Sequence, residues 1–296
     1  MSELASESPL LSELASESPS PSELALPPLL SWHEFVDAAR MPETINGDGR
    51  HGDSEWAGGT WAEALRLAVD GWPLALRDAD VTVGALRERA GLGVAATTLE
   101  PTWDVTGSEV DVGAYLAGVP ECMVDATPRR TSRRGRVVTF LVPTSYSHRT
   151  PHEQVRNRGI ALATLCAAII GAGHSVEIWS GWACMVGADR HAAVARVVSA
   201  GEPLDIGRLI FAVAHPLMLR RLWFAVWDAQ DPVVAQRMFD EDYGGPPFHC
   251  VPEDLPEQVT DPYVFPYLWR DDPQWRDLDA AMEWCHETFV DLGLLD

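Results

Sequence analysis

The sequence predicts an α/β protein: a mainly parallel open sheet flanked by helices, preceded by a mainly helical N-terminal half. Three observations carry this. Val137-Val138-Thr139-Phe140-Leu141-Val142 is an unbroken β-branched and apolar run, as a strand buried on both faces requires. Thr150-Pro151-His152-Glu153 then offers an N-cap, a proline at N1 and a glutamate at N3, opening a helix to about Ile170. A second strand, His174 to Ser180, follows Gly171-Ala172-Gly173, so strand, helix and strand form a right-handed unit with a parallel pair.

The elements upstream read differently. Residues 2–9 and 12–19 repeat Ser-Glu-Leu-Ala-Ser-Glu-Ser-Pro, and this acidic stretch lacks any aromatic residue that would offset its ordering entropy. Residues 1–27 are therefore expected to be a disordered acidic repeat tail, ordering only against a partner or a second copy. From 28 to 130 a mainly helical cap region is expected. Ser31-Trp32-His33-Glu34 and Thr60-Trp61-Ala62-Glu63 both have capping-box spacing, Gly71 fits a helix C-terminus, and further helices are placed at Val81 to Ala90 and Asp111 to Ala117. The tryptophans of this half, Trp32, Trp56, Trp61, Trp72 and Trp103, read as packing anchors.

Residues 131–296 form the expected α/β domain. After the first unit come a hairpin-like Gly181 to Asp189 and a strand at Ala192 to Ser199. Two apolar helical segments, Leu204 to Ala214 and Pro216 to Trp227, a late strand at Tyr263 to Leu268 and a closing helix from Pro273 to Leu292 complete the order.

Composition narrows the function classes. No stretch reaches the roughly 20 apolar residues of a membrane span, and glutamates stand where a signal peptide has basic residues, so a cytoplasmic location is expected. Cys122, Cys166, Cys184, Cys250 and Cys285 contain no CxxC pair and read as buried thiols. A net charge of −22 disfavours phosphate backbones. The one basic cluster, Arg129, Arg130, Arg133, Arg134 and Arg136, is either a solvated linker or a contact site for nucleic acid or an acidic partner.

The loop Pro143-Thr144-Ser145-Tyr146-Ser147 resembles the Asp-x-Ser-x-Ser metal loop of von Willebrand factor A domains, and Arg158 to Leu162 with Gly173 to Ile178 resembles their metal-chelatase branch. The resemblance implies a site at the carboxyl edge of the sheet, with Ser145, Ser147, His148, His152 and Asp205 as candidate binding residues. Pro143 stands where the family has its first carboxylate, so no cofactor is expected beyond weak Mg²⁺. Trp61 to Leu65, Gly71-Trp72-Pro73, Val110 to Gly113, Gly118 to Met123 and Phe211 to Phe224 also resemble an uncharacterised family of actinobacterial phage proteins, implying a phage origin.

No Gly-x-Ser-x-Gly elbow, P-loop, Gly-x-Gly-x-x-Gly turn or paired-histidine helix is present. The expected function is a non-enzymatic protein-binding or assembly module. The alternatives are an enzyme with its site between the helical half and the sheet edge, using Glu153, His148, His152 or Asp205, and an acidic nucleic-acid mimic.

Overall fold

The computed structural model describes residues 26–72, 83–92, 97–130, 135–147, 149–245 and 249–294, with backbone alone at 97–102 and 126–130. The acidic tail, Leu26 and Pro27 excepted, lies outside the described residues, as do His148, Arg133 and Arg134.

The protein is mixed α/β. Helices α1 (Trp32–Arg40), α2 (Asp48–His51), α3 (Ser54–Ala57), α4 (Trp61–Asp70) and α5 (Val83–Arg89) come first. Ser31 and Thr60 cap α1 and α4 by accepting from the Glu34 and Glu63 amides, and Gly71 ends α4 at φ 72°. The N-cap half of each capping box is thus realised, with the Glu34 carboxylate accepting from the Leu30 amide instead of the Ser31 amide, and short helical turns follow between Asp48 and Ala57.

Residues 97–130 depart from the helical expectation. Strands β1 (Thr97–Asp104), β2 (Glu109–Val110) and β3 (Met123–Arg130) form a separate antiparallel sheet in the order β1-β3-β2, with α6 (Val112–Leu116) between β2 and β3. Pro101 and Pro128 within these strands weakened the β signal, and pairing across the sheet overrides that local preference.

The second half contains β4 (Val137–Pro143), α7 (His152–Gly171), β5 (Ser175–Val186) and β6 (Asp189–Val198). Then follow α8 (Ile206–Ala214), a π-helical segment Met218–Trp223, α9 (Phe224–Asp228), α10 (Pro232–Asp240), β7 (Tyr263–Val264) and α11 (Leu278–Asp291). The sheet order is β6-β5-β4-β7. β4 pairs in parallel with β5, Val137 opposite Ser175, and with β7, Phe140 opposite Tyr263.

The sheet is mixed, with β4 parallel to both its neighbours, because β5 continues to Val186 and turns at Gly187 into antiparallel β6. The expected hairpin is therefore two residues of turn and two long strands. Leu29 runs beside Ala195 and covers the β6 edge, its amide donating to the Val194 carbonyl at 3.0 Å.

Successive residues of β4 serve two faces. Phe140 and Val142 join the main core, while Leu141 joins a smaller cluster with Trp179, Ala183, Val194, Cys250 and Leu255. Phe35 of α1 and Leu67 of α4 lie in the same main cluster as the sheet, and Phe35 meets Trp223 at 4.9 Å between centroids. Trp56 and Trp103 are exceptions to the packing-anchor reading, at 44% and 53% exposed. Four cysteines are buried and Cys122 is half-buried.

Among the described residues no single helix is long and apolar enough to cross a membrane. The apolar pair α8 and Met218–Asp228 bends by 68° inside the core.

Two buried polar groups hold this arrangement. Arg221, 1% exposed, donates to the carbonyls of Asp48, Gly52 and Gly59 and to the Ser54 hydroxyl, at 2.9 to 3.2 Å. Asp228, fully buried, accepts from the Tyr243 hydroxyl at 2.7 Å and the Gly49 amide at 3.0 Å. Arg221→Met removes the side-chain donor from the Gly52 and Gly59 carbonyls, the Asp48 carbonyl keeping the Gly52 amide, and is expected to lower the unfolding free energy by about 3 kcal/mol. Urea denaturation reads this against Val233→Ala, a side chain 76% exposed; a loss equal to that of the control refutes the clamp.

Burial pushes the Asp228 carboxyl up to about 6, with the Tyr243 and Gly49 donors only partly offsetting it. An unfolded aspartate titrates near about 3.9, so the folded protein keeps a proton that the unfolded chain has released in the window between. This contribution to stability is complete at low pH and is lost as the pH rises through about 6. Comparison of unfolding free energies across this window is expected to show that decline in the native protein and its absence in Asp228→Asn. Equal slopes refute it.

Candidate functional site

The loop after β4 is fixed by its own backbone and by two buried side chains. Thr144 donates to the Gly181 carbonyl through both its amide, at 2.9 Å, and its hydroxyl, at 3.0 Å. Arg158, buried in α7, donates to the carbonyls of Pro143 at 3.0 Å and Pro266 at 3.2 Å. It has no ion pair among the described residues, and burial lowers its pKa to about 10. Ser147 accepts from the Arg149 amide at 3.2 Å, tying down its own loop.

The expected helix start shifts by one residue. Pro151, not Thr150, is the cap of α7, and the Thr150 hydroxyl is buried without a partner among the described residues.

The same loop places two further hydroxyls without partners. Ser145 Oγ and Tyr146 OH are buried and unbonded among the described residues, and burial pushes the Tyr146 phenol up to about 12, the cations of Arg220 and Arg158 partly opposing it. At neutral pH it remains a donor.

Ser145, Tyr146 and Ser147 line a cavity of about 710 Å³ at the carboxyl end of β4. Opposite them stand Leu219, Arg220 and Phe224, brought in by the π-helical segment and α9. Trp56, Trp182 and Tyr243 complete the aromatic wall, with Phe224 and Tyr243 stacked at 3.7 Å. Tyr243 is held in place because its hydroxyl accepts from the Asp48 amide and donates to Asp228, both at 2.7 Å. Arg220 donates to the Trp56 carbonyl and lies 4.5 Å over the Trp56 ring.

At the first position of the loop the carboxylate that a divalent cation would need is missing. Pro143 contributes no side-chain ligand and its carbonyl is engaged by Arg158, while Arg220 adds positive charge to the wall. Among the described residues no three His, Cys, Asp or Glu side chains converge as metal ligands.

The other sequence candidates separate. Asp205 caps α8, accepting from the Arg208 amide at 2.9 Å, the ordinary alternative to a ligand role. His152 lines a different cavity, of about 490 Å³, with Glu153, Arg156 and His215. His215 is lowered to about 4, chiefly by burial and then by His152, so its ring is neutral and its Nδ1 accepts from the Leu217 amide at 3.1 Å. Arg129 and Arg130 end β3, opposite Thr98 and Thr97.

Sequence reasoning missed Arg220, Trp182, Phe224 and Tyr243. The available signal was the Arg220-Arg221 pair inside the apolar run from Leu209 to Trp227, since paired guanidinia in such a run demand buried partners. A second missed feature is the surface of the small sheet. Val112, Tyr115 and Leu116 follow the i, i+3, i+4 spacing of one helical face and, with Val119 beyond the helix end, are 42% to 79% exposed. Trp103 lies beside this face, its indole donating to the Asp111 carboxylate at 3.1 Å.

Calorimetric titration with Mg²⁺, Mn²⁺ or Ca²⁺ is accordingly expected to give no saturable heat that Ser145→Ala with Ser147→Ala removes. Such a heat refutes the charge argument.

Neither a curated protein nor a solved structure matches the chain. A family model described as a domain of unknown function, DUF7192, matches residues 12–296, nearly the whole chain. A protein with this mixed sheet, its helical surround and its edge cavity thus belongs to the DUF7192 family.

Proposed function

We propose that this chain is a non-enzymatic protein-binding or assembly module, a metal-free A-type α/β domain of phage origin whose docking surface is the small antiparallel sheet with α6. The supporting observation is that face. Trp103, Val105, Val110, Val112, Tyr115, Leu116 and Val119 are all exposed. A concentration of exposed apolar side chains within seventeen consecutive residues supports an interaction site there. Asp104, Glu109 and Glu121 stand exposed around it, so the partner surface is apolar with a basic rim. The A-type reading rests on β4, its loop and α7 in that order, and the phage reading on the sequence resemblance.

A photo-crosslinking residue at Leu116, 79% exposed, is expected to give a discrete protein adduct in cells of the native source, and Trp103→Asp to abolish it. The same probe at Val69, 68% exposed on α4, serves as the background. Equal yields at the two positions overturn the reading.

The enzyme alternative has one observation in its favour, the shared cavity of His152, Glu153 and His215. A turnover that survives Trp103→Asp and is lost in His152→Ala would establish it over the binding module.

A further inference from the structure

Arg220 is 6% exposed and has no ion pair among the described residues. Removing a guanidinium from water costs several kcal/mol, and one carbonyl with one aromatic face offsets only part of that. In the wall of the same cavity Ser145 is 7% exposed, and neither its hydroxyl nor the buried Tyr146 hydroxyl has a partner among the described residues. A cation and two hydroxyl donors lining one cavity select an anionic acceptor.

The outer part of the cavity has the opposite sign. Asp53 and Asp242 are exposed and Asp48 is half-buried, and all three line it. A free inorganic anion is repelled by these carboxylates before it reaches Arg220, whereas a molecule with a cationic end is attracted by them. The stacked Phe224 and Tyr243 rings and Trp182, 5.6 Å from Phe224, line the same cavity. These surfaces accept a flat apolar body, and the volume of about 710 Å³ suits a small organic molecule rather than a folded segment.

We infer that this cavity binds a small zwitterion with a flat apolar body, its anionic end on Arg220, Ser145 and Tyr146 and its cationic end among Asp48, Asp53 and Asp242. The site is separate from the apolar docking face and does not rest on that reading.

Calorimetry on the full chain with 4-(aminomethyl)benzoate, benzoate and benzylamine tests it, because the last two each lack one charged end. Saturable binding of the zwitterion is expected, about tenfold or more tighter than either single-charge probe. Arg220→Met is expected to remove the advantage over benzylamine. Asp242→Asn, conservative at a φ of 51° that asparagine tolerates, is expected to reduce the advantage over benzoate. Ser145→Ala removes a hydroxyl with no partner and so preserves the fold; it is expected to weaken the zwitterion and benzoate but not benzylamine. Should Arg220→Met fail to fold, the other two variants decide. The inference is overturned by no saturation with the zwitterion up to about 10 mM, a concentration corresponding to very weak affinity. It is equally overturned by binding that neither Ser145→Ala nor Asp242→Asn changes.

Discussion

The Arg221 guanidinium is the contact on which the other features depend. It draws the carbonyls of Asp48, Gly52 and Gly59 onto the π-helical segment, and so fixes a glycine-rich stretch that has little apolar surface of its own. Those carbonyls lose water on folding, and a planar cation with five donors satisfies several of them at once. α2 and α3 are only four residues each, too short to stand alone, so their position comes from this clamp and from the bonds between Asp228, Gly49 and Tyr243. The space left by glycine matters here, because a Cβ on Gly49 would come within 2.4 Å of the Ala225 backbone.

With that segment in place, the edge cavity follows. Trp56 on α3 becomes a wall, Arg220 lies over its ring, and Tyr243 is stacked on Phe224. π-helical turns are uncommon because they loosen helix packing, and they recur where side chains need an unusual direction. Here the segment buries two adjacent arginines, Arg220 with the Trp56 carbonyl and Arg221 with the glycine stretch. The protein thus combines a strongly acidic net charge with the buried cations Arg158, Arg220 and Arg221, whose hydrogen-bond acceptors among the described residues are chiefly carbonyl oxygens.

The two candidate surfaces differ in physical kind. The small sheet and α6 present convex apolar side chains, suited to a partner that buries area. The edge cavity is concave, aromatic and divided by charge, suited to orienting one small molecule. Nothing in the geometry requires one to serve the other.

Local signals in the sequence determined the helix starts at Ser31 and Thr60, the stop at Gly71, the strand from Val137 and the parallel pairing of β4 with β5. The caps, the stop and the strand depend on residues within one turn or one strand, and the parallel pairing on the right-handed strand-helix-strand unit they form. The loop Pro143 to Ser147 was also legible as a place to look, because a strand followed directly by a helix start puts that loop at the sheet edge. Its chemistry was not. Whether Ser145 meets a metal, its own backbone or an open cavity depends on Arg158, Arg220 and Trp56, which arrive from three other elements. The strands of 97–130 were hidden for the same reason: with Pro101 and Pro128 inside them, local preference argued against extended pairing, and only the partner strands made it favourable. The antiparallel course of β6 was likewise decided by the two-residue turn at Gly187 and Ala188, and its burial by Leu29 and the helices laid against it from far along the chain.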